Sequence, residues 1–281
     1  MMHDRNFAHA IQANVRAALA EDLGSGDLTA QLVPADHTAR AVLIAREAAV
    51  LCGRPWFEAC FSALDPNIQI VWRVAEGADF AADQVLCDII GNARAILSAE
   101  RPALNFLQTL SGTAHHTRRF VQAIAGTGAL IMDTRKTLPG LRLAQKYAVK
   151  IGGGANQRIG LFDGVLIKEN HIAAAGGISA ALNLARQQTP TEISIQIEVE
   201  SLAELEQALA ASARLILLDN FDLEQLRAAV LLNNKRAILE ASGGITLDKV
   251  RAIAACGVDR ISIGNLTKHV HAVDLSLLIQ T

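Results

Sequence analysis

Three carboxylates, Glu198, Asp219 and Glu240, recur at intervals of 21 residues, each at the polar end of a short apolar run. The runs read ISIQIEVE, RLILLDN and RAILEASGG, and each leads into a helical pattern, over 202–213, 223–232 and 247–255. That interval suits one strand, one loop and one helix. Strands that are apolar along most of their length, rather than alternating, are covered on both faces, which makes a parallel sheet flanked by helices. A further run, RISIGNLTKH, covers 260–269, and LIM before Asp133 and VLI before Lys168 supply two earlier strands. With AVKI at 148–151 included, the count is six or seven. No GxGxxG follows the first of these strands, so the dinucleotide-binding fingerprint is absent. A closed or nearly closed α/β barrel is expected.

The first hundred residues follow another pattern. Apolar positions at Phe7, Ile11, Val15 and Leu19 predict a helix over 6–21 that stops before Gly24-Ser25-Gly26-Asp27. Strands are expected over 39–50 and 68–74, and a helix opened by Pro55 over 56–64. A further strand or pair is expected over 84–89 and 93–97, giving a small α+β unit with an antiparallel sheet. A long helix should start at Glu100 and reach Ile124, with a break at Gly112. Arg101 would then sit in its first turn, where a cation is slightly unfavourable beside the helix dipole. An external anion or an ordinary exposed arginine both fit that position. Ser111, Thr113, His115 and His116 form no nucleophilic constellation, and the apolar stretch 270–280 is expected to pack back on the first unit or bury an interface.

Charge excludes several functions. Lys and Arg number 26 against 28 Asp and Glu, so no basic field points to nucleic acid or an anionic membrane. Any anion site has to be assembled locally. The four cysteines, Cys52, Cys60, Cys87 and Cys256, show neither CxxC nor metal spacing and read as reduced and buried. The first 24 residues carry polar and acidic groups throughout, with no secretory apolar region, and no run approaches the roughly 20 apolar residues of a membrane span. A cytoplasmic location is expected.

If the strands are parallel, their C-terminal ends share one rim. It would carry Arg135, Lys136, Lys168, Glu198, Asp219, Ser242-Gly243-Gly244 and Gly264-Asn265, with Arg158 from the loop after the glycine triplet. Arginines grip carboxylate or phosphate oxygens bidentately, and lysine supplies a point charge. Glu198 and Asp219 could hold sugar hydroxyls or a divalent cation. The small residues after the last strands suit the close approach of a phosphate to the backbone. On such a barrel a lysine aldolase or isomerase, using Lys136 or Lys168 as a Schiff base, is a competing class.

Longer motifs narrow the choice. GSGDLTA at 24–30, ERPALNFLQTLSG at 100–112, DTRKTLPGLRLAQKYAV at 133–149, GGGANQR at 152–158 and LIKENHI at 166–172 run through the first two thirds. EVE at 198–200, LLDN at 217–220, EASGGI at 240–245 and ISIGNLT at 261–267 follow. Together they make the chain resemble the quinolinate phosphoribosyltransferase family over nearly its full length. The resemblance implies an N-terminal α/β sandwich over 1–113, an incomplete α/β barrel over 114–269, and a segment over 270–281 returning to the first domain. It implies transfer of phosphoribosyl from 5-phosphoribosyl-1-diphosphate to quinolinate with Mg²⁺, releasing CO₂ and diphosphate and giving nicotinate mononucleotide for NAD biosynthesis. Thr134, Arg135, Lys136, Gln157 and Arg158 would bind quinolinate, with Lys168 near the reacting centre. Glu198 and Asp219 would hold ribose and the metal-bound diphosphate, and Ser242, Gly243, Gly244, Ile263, Gly264 and Asn265 the 5-phosphate. Arg101 would cross a homodimer interface into the neighbouring site. Two positions depart from the family pattern: Gln157 stands where GGxxHR has histidine, and Lys268 where histidine commonly follows Leu-Thr. A molybdenum-transport-associated relative of the same fold, or a non-catalytic phosphate- or nucleotide-binding protein, is the alternative these departures leave open.

Overall fold

A computed structural model describes residues 4–280; residues 1–3, part of the N-terminal reading, and Thr281 lie outside it. The elements in chain order are α1 (Asp4–Leu23), β1 (Thr38–Ala45), β2 (Ala49–Val50), α2 (Arg54–Leu64), β3 (Gln69–Trp72), β4 (Asp79–Phe80), β5 (Val85–Asn92) and α3 (Ala93–Ala123). There follow β6 (Leu130–Met132), α4 (Arg142–Ile151), β7 (Val165–Ile167), α5 (Glu169–Ala175), α6 (Ile178–Gln188) and β8 (Ile195–Val199). The last are α7 (Leu202–Ala210), β9 (Leu215–Asp219), α8 (Leu223–Asn233), β10 (Ile238–Ser242), α9 (Leu247–Ala254), β11 (Arg260–Ser262), α10 (Asn265–Lys268) and β12 (Leu275–Gln280).

The chain forms two compact units. One holds the chain up to Arg118, Thr137–Gly153 and everything from Thr267 onward; the other holds Arg119–Lys136 and Gly154–Leu266. Neither unit is continuous in sequence.

The first unit is built on an antiparallel sheet in the order β12-β1-β5-β3. The apolar 270–280 stretch thus becomes an edge strand, pairing Leu277 with Leu43. Helix α1 turns Val15 and Leu19 into the core with Phe7 and Ile11 packed beside them, around fully buried Trp56, Phe57 and Phe61. The glycine turn after α1 is a helix stop, and Asp27 organises it. Its Oδ1 accepts from the backbone N–H groups of Thr29 and Ala30, both at 2.9 Å, and its Oδ2 from Ser98. Ser111 Oγ is spent on the Cys52 backbone, in keeping with a structural role, and all four cysteines are buried and unpaired.

Three expectations change here. Residues 93–97 are helical, because Asn92 Oδ1 accepts the Ala95 N–H and starts α3 there. Arg101 therefore lies two turns inside the helix, and the dipole argument for it lapses. Gly112 does not break α3; a Cβ at that position would fall on the carbonyl group of His271, so glycine is there to let a neighbouring backbone pass.

The second unit is a six-stranded sheet in the order β6-β11-β10-β9-β8-β7, with every pairing parallel. β6 and β7 are its two edges, so it is an incomplete α/β barrel. The 148–151 run is the last turn of α4 and not a seventh strand. Four apolar residues carry no period long enough to tell a buried helix from a strand. β8 is buried at all but its first residue and β9 through its centre, as parallel strands covered on both faces should be. Among the described residues no helix is long and apolar enough to cross a membrane.

Candidate active site

Because the strands are parallel, the polar residues that end them gather at one end of the sheet. Asp133 follows β6, Lys168 follows β7, Glu198 lies one residue before the end of β8, Asp219 and Ser242 end β9 and β10, and Ser262 ends β11. A cavity of about 190 Å³ opens there. Thr134, Arg135, Lys136, Gln157, Arg158 and Lys168 line its cationic side; Glu198 and Ser242 line it as well, with Leu166 and Leu217 as apolar surface.

Local structure explains how the cations are aimed. Asp133 is fully buried, and its carboxylate accepts from Asn156 Nδ2 and from the Gln157 backbone N–H, both at 2.7 Å. The loop is stitched further by Asp133 N–H to Ala155 O and Ala155 N–H to Ile131 O. One strand-end carboxylate thus fixes the loop that carries Gln157 and Arg158. Arg158 donates to Gly164 O at 2.9 Å. Burial, and next the charge of Arg135, lower the Arg158 guanidinium from its ordinary value, while Asp163 opposes that shift. Two guanidiniums thus share one pocket wall. Lys136 lays its stem over the final strand loop: a Cβ on Gly264 would meet Lys136 Cδ at 3.0 Å.

Lys168 makes an ion pair with Glu198, at 2.9 Å to Oε2 and 3.1 Å to Oε1. Asp219 Oδ2 accepts from Asn220 Nδ2 at 2.7 Å. Asp219 is the sheet partner of Ser242, which brings its carboxylate and the Ser-Gly-Gly loop together. Gly243 (φ 106°) needs to be glycine, because a Cβ there would lie 2.9 Å from the Asn220 backbone nitrogen. Asn265 Oδ1 is buried without a partner at the start of α10, after Ile263 N–H has bonded back to Met132 O.

Among the described residues, no three His, Cys, Asp or Glu groups are placed to hold a metal. Glu198 and Asp219 nevertheless suit a cation that brings its own phosphate ligands, since Mg²⁺ takes one or two carboxylates beside substrate oxygens. Asp219, Gly243, Gly244, Ile263, Gly264 and Asn265 stand beside the cavity lining, not in it. Arg101 belongs to the first unit, 57% exposed, with Glu100 at 3.7 Å. Lys268 is exposed at the end of α10.

Two family models cover this chain, the quinolinate phosphoribosyl transferase N-terminal domain over 27–111 and its C-terminal domain over 113–278. The chain belongs to the quinolinate phosphoribosyltransferase family. It is 41% identical to the nicotinate-nucleotide pyrophosphorylase (carboxylating) of Mycobacterium leprae, over 99% of each chain. It is 40% identical to a mitochondrial quinolinate phosphoribosyltransferase (decarboxylating) of Nicotiana tabacum, over 95% of this chain and 81% of that one. The solved nicotinate-nucleotide pyrophosphorylase of Francisella tularensis superposes with a TM-score of 0.94 at 46% identity, covering 97% of both.

Four residues at this end of the sheet have no role assigned from sequence: Asp133, Gln196, Glu240 and Ser262. Gln196 and Ser262 line the cavity with Glu240, and their side chains join Gln157 in one network. A signal for them exists. Gln196 is a polar residue two positions before Glu198 in an otherwise apolar buried strand, and Glu240 stands in the same relation to Ser242. In a strand, positions two apart share a face.

Proposed function

We propose that the chain transfers the phosphoribosyl group of 5-phosphoribosyl-1-diphosphate to the ring nitrogen of quinolinate and releases CO₂, giving nicotinate mononucleotide and diphosphate for NAD biosynthesis. The observation that carries this reading is the Arg135–Arg158 pair, whose repulsion a dicarboxylate would relieve on binding. Lys136 and Thr134 complete the carboxylate side. Lys168 would neutralise charge on the departing diphosphate, exchanging Glu198 for it, while Glu198 and Asp219 receive ribose hydroxyls. Ser242, Gly243 and Gly244, with Ile263, Gly264 and Asn265, would cradle the 5-phosphate through backbone N–H groups.

Mg²⁺ carried by the diphosphate would meet Glu198 and Asp219 and stabilise negative charge on the leaving oxygens. The rest is done by fixed cations and by position. After N-ribosylation the bond between ring C2 and its carboxylate breaks. The electron pair stays on C2 beside the positive nitrogen, and a proton from water replaces CO₂. No further electron sink is needed. Lys168 enters as half of an ion pair, not as the isolated amine in an apolar pocket that Schiff-base chemistry uses.

The reading includes a homodimer in which Arg101 reaches the partner's site, supported by an exposed guanidinium with only a loose ion pair of its own. It also includes a cytoplasmic setting, which four buried thiols without a disulfide support. Incubation with quinolinate, phosphoribosyl diphosphate and Mg²⁺ should yield nicotinate mononucleotide. Turnover of nicotinate in place of quinolinate would overturn the substrate assignment.

A further inference from the structure

Glu240 is a fully buried carboxylate in β10 whose three partners are all neutral. Its Oε1 accepts from Gln157 Nε2 and Ser262 Oγ, and its Oε2 accepts from Gln196 Nε2 at 3.1 Å. Gln157 Nε2 also donates to Gln196 Oε1 at 3.3 Å. An amide nitrogen carries two hydrogens, so both of those on Gln157 are directed into a ring of three side chains. A carboxylate has nothing to donate, and this decides which end of each amide faces it. Neither glutamine can turn over without setting oxygen against oxygen.

Resting on the function proposed above, we propose that Glu240 is a positioning residue that withholds the Gln157 amide hydrogens from the substrate. It also sets a fixed negative charge behind that wall of the pocket. The substrate carboxylates are then gripped by Arg135, Arg158 and the lysines, and a carboxylate brought against Gln157 is opposed. The same wall favours the ring once its nitrogen is positive. Glu240 thus loosens the hold on bound quinolinate relative to the charge distribution that follows ribosyl transfer, the direction that raises turnover.

Glu240→Gln tests this. The variant loses the charge in either orientation of the new amide, and where its NH₂ faces Gln157 that residue turns its oxygen inward and its own NH₂ toward the ligand. Calorimetry with quinolinate alone should show binding roughly tenfold tighter than in the wild type. Steady-state kinetics should show KM and kcat both lowered, as expected when ground-state destabilisation is removed. A carboxylate that merely supports the fold would give weaker binding. Unchanged or weaker binding in a variant with native circular dichroism overturns the proposal. Should the single variant fail to fold, Glu240→Leu combined with Gln196→Leu and Ser262→Ala removes the charge together with two of its donors, an exchange that buried ionic clusters often tolerate. It too must bind quinolinate more tightly, and unchanged or weaker binding there overturns the proposal equally. A wild-type protein that neither binds quinolinate nor releases CO₂ is a separate result, and it overturns the function itself.

Discussion

Lys168 Nζ sits 2.9 Å and 3.1 Å from the two carboxylate oxygens of Glu198, whose side chain is only 9% exposed against 44% for the lysine. The lysine is thus held at the mouth of the site by a partner it can exchange. Glu198→Gln should free Lys168 for anions while removing the carboxylate proposed to accept from the ribose. Inhibition by inorganic diphosphate is expected to strengthen, and kcat to fall on the order of 100-fold. An inhibition constant equal to wild type would show that Glu198 does not compete with diphosphate for the lysine.

Gln157 makes the pH profile of this chain testable. Its amide does not titrate, whereas an imidazole at that position would, and the Glu240 carboxylate against it would hold it above the usual histidine value of about 6.5. In Gln157→His the protonated form adds a cation for a dianionic ligand. Quinolinate KM should therefore rise as pH increases through that raised value, and the wild type should lack that inflection. Identical profiles for the two proteins would mean that position 157 does not reach the ligand.

Gly243 and Gly244 separate steric need from backbone preference. Gly244 has φ 54°, and a Cβ added there would meet no atom within 4 Å, so Gly244→Ala should cost about 1 kcal/mol in denaturant unfolding. Gly243 has φ 106°, and its Cβ would approach Asn220 N to 2.9 Å. That nitrogen is tied to Ser242 O at 3.0 Å and cannot retreat. Gly243→Ala should cost about 3 kcal/mol. Equal midpoints for the two variants would contradict the packing at this loop.

Much of this architecture is legible in the sequence because parallel strands leave a simple trace. Apolar runs at a 21-residue interval with polar ends give both the barrel and its rim, and they put Arg135, Lys136, Lys168, Glu198 and Ser242 at one end of the sheet. The buried layer is harder. Glu240 is visible as a strand-end carboxylate, but only the inward phase of β8 and β10 brings it to Gln196, and only the loop fixed by Asp133 brings Gln157 to both. Contacts of that kind join residues 39 to 83 positions apart and leave no period to read. The start of α3 and the run at 148–151 mislead for a different reason: short apolar segments fit a helix and a strand alike, and the Asn92 cap decides the first case.

Arg101 gives the assembly a genetic test. Arg101→Ala and Lys136→Ala should each be nearly inactive. After subunit exchange a mixture of the two should recover up to about a quarter of wild-type activity, because a mixed dimer carries one intact site. No recovery despite exchange shown by mass spectrometry would confine Arg101 to its own subunit.

The most direct test of the proposed reaction follows all three products of one turnover. Quinolinate labelled at the C2 carboxyl is mixed with phosphoribosyl diphosphate and Mg²⁺, and labelled CO₂, diphosphate and nicotinate mononucleotide are counted together. All three should appear in equal amounts, with label only in CO₂. Diphosphate released without labelled CO₂, or label retained in the nucleotide, would contradict the proposed reaction.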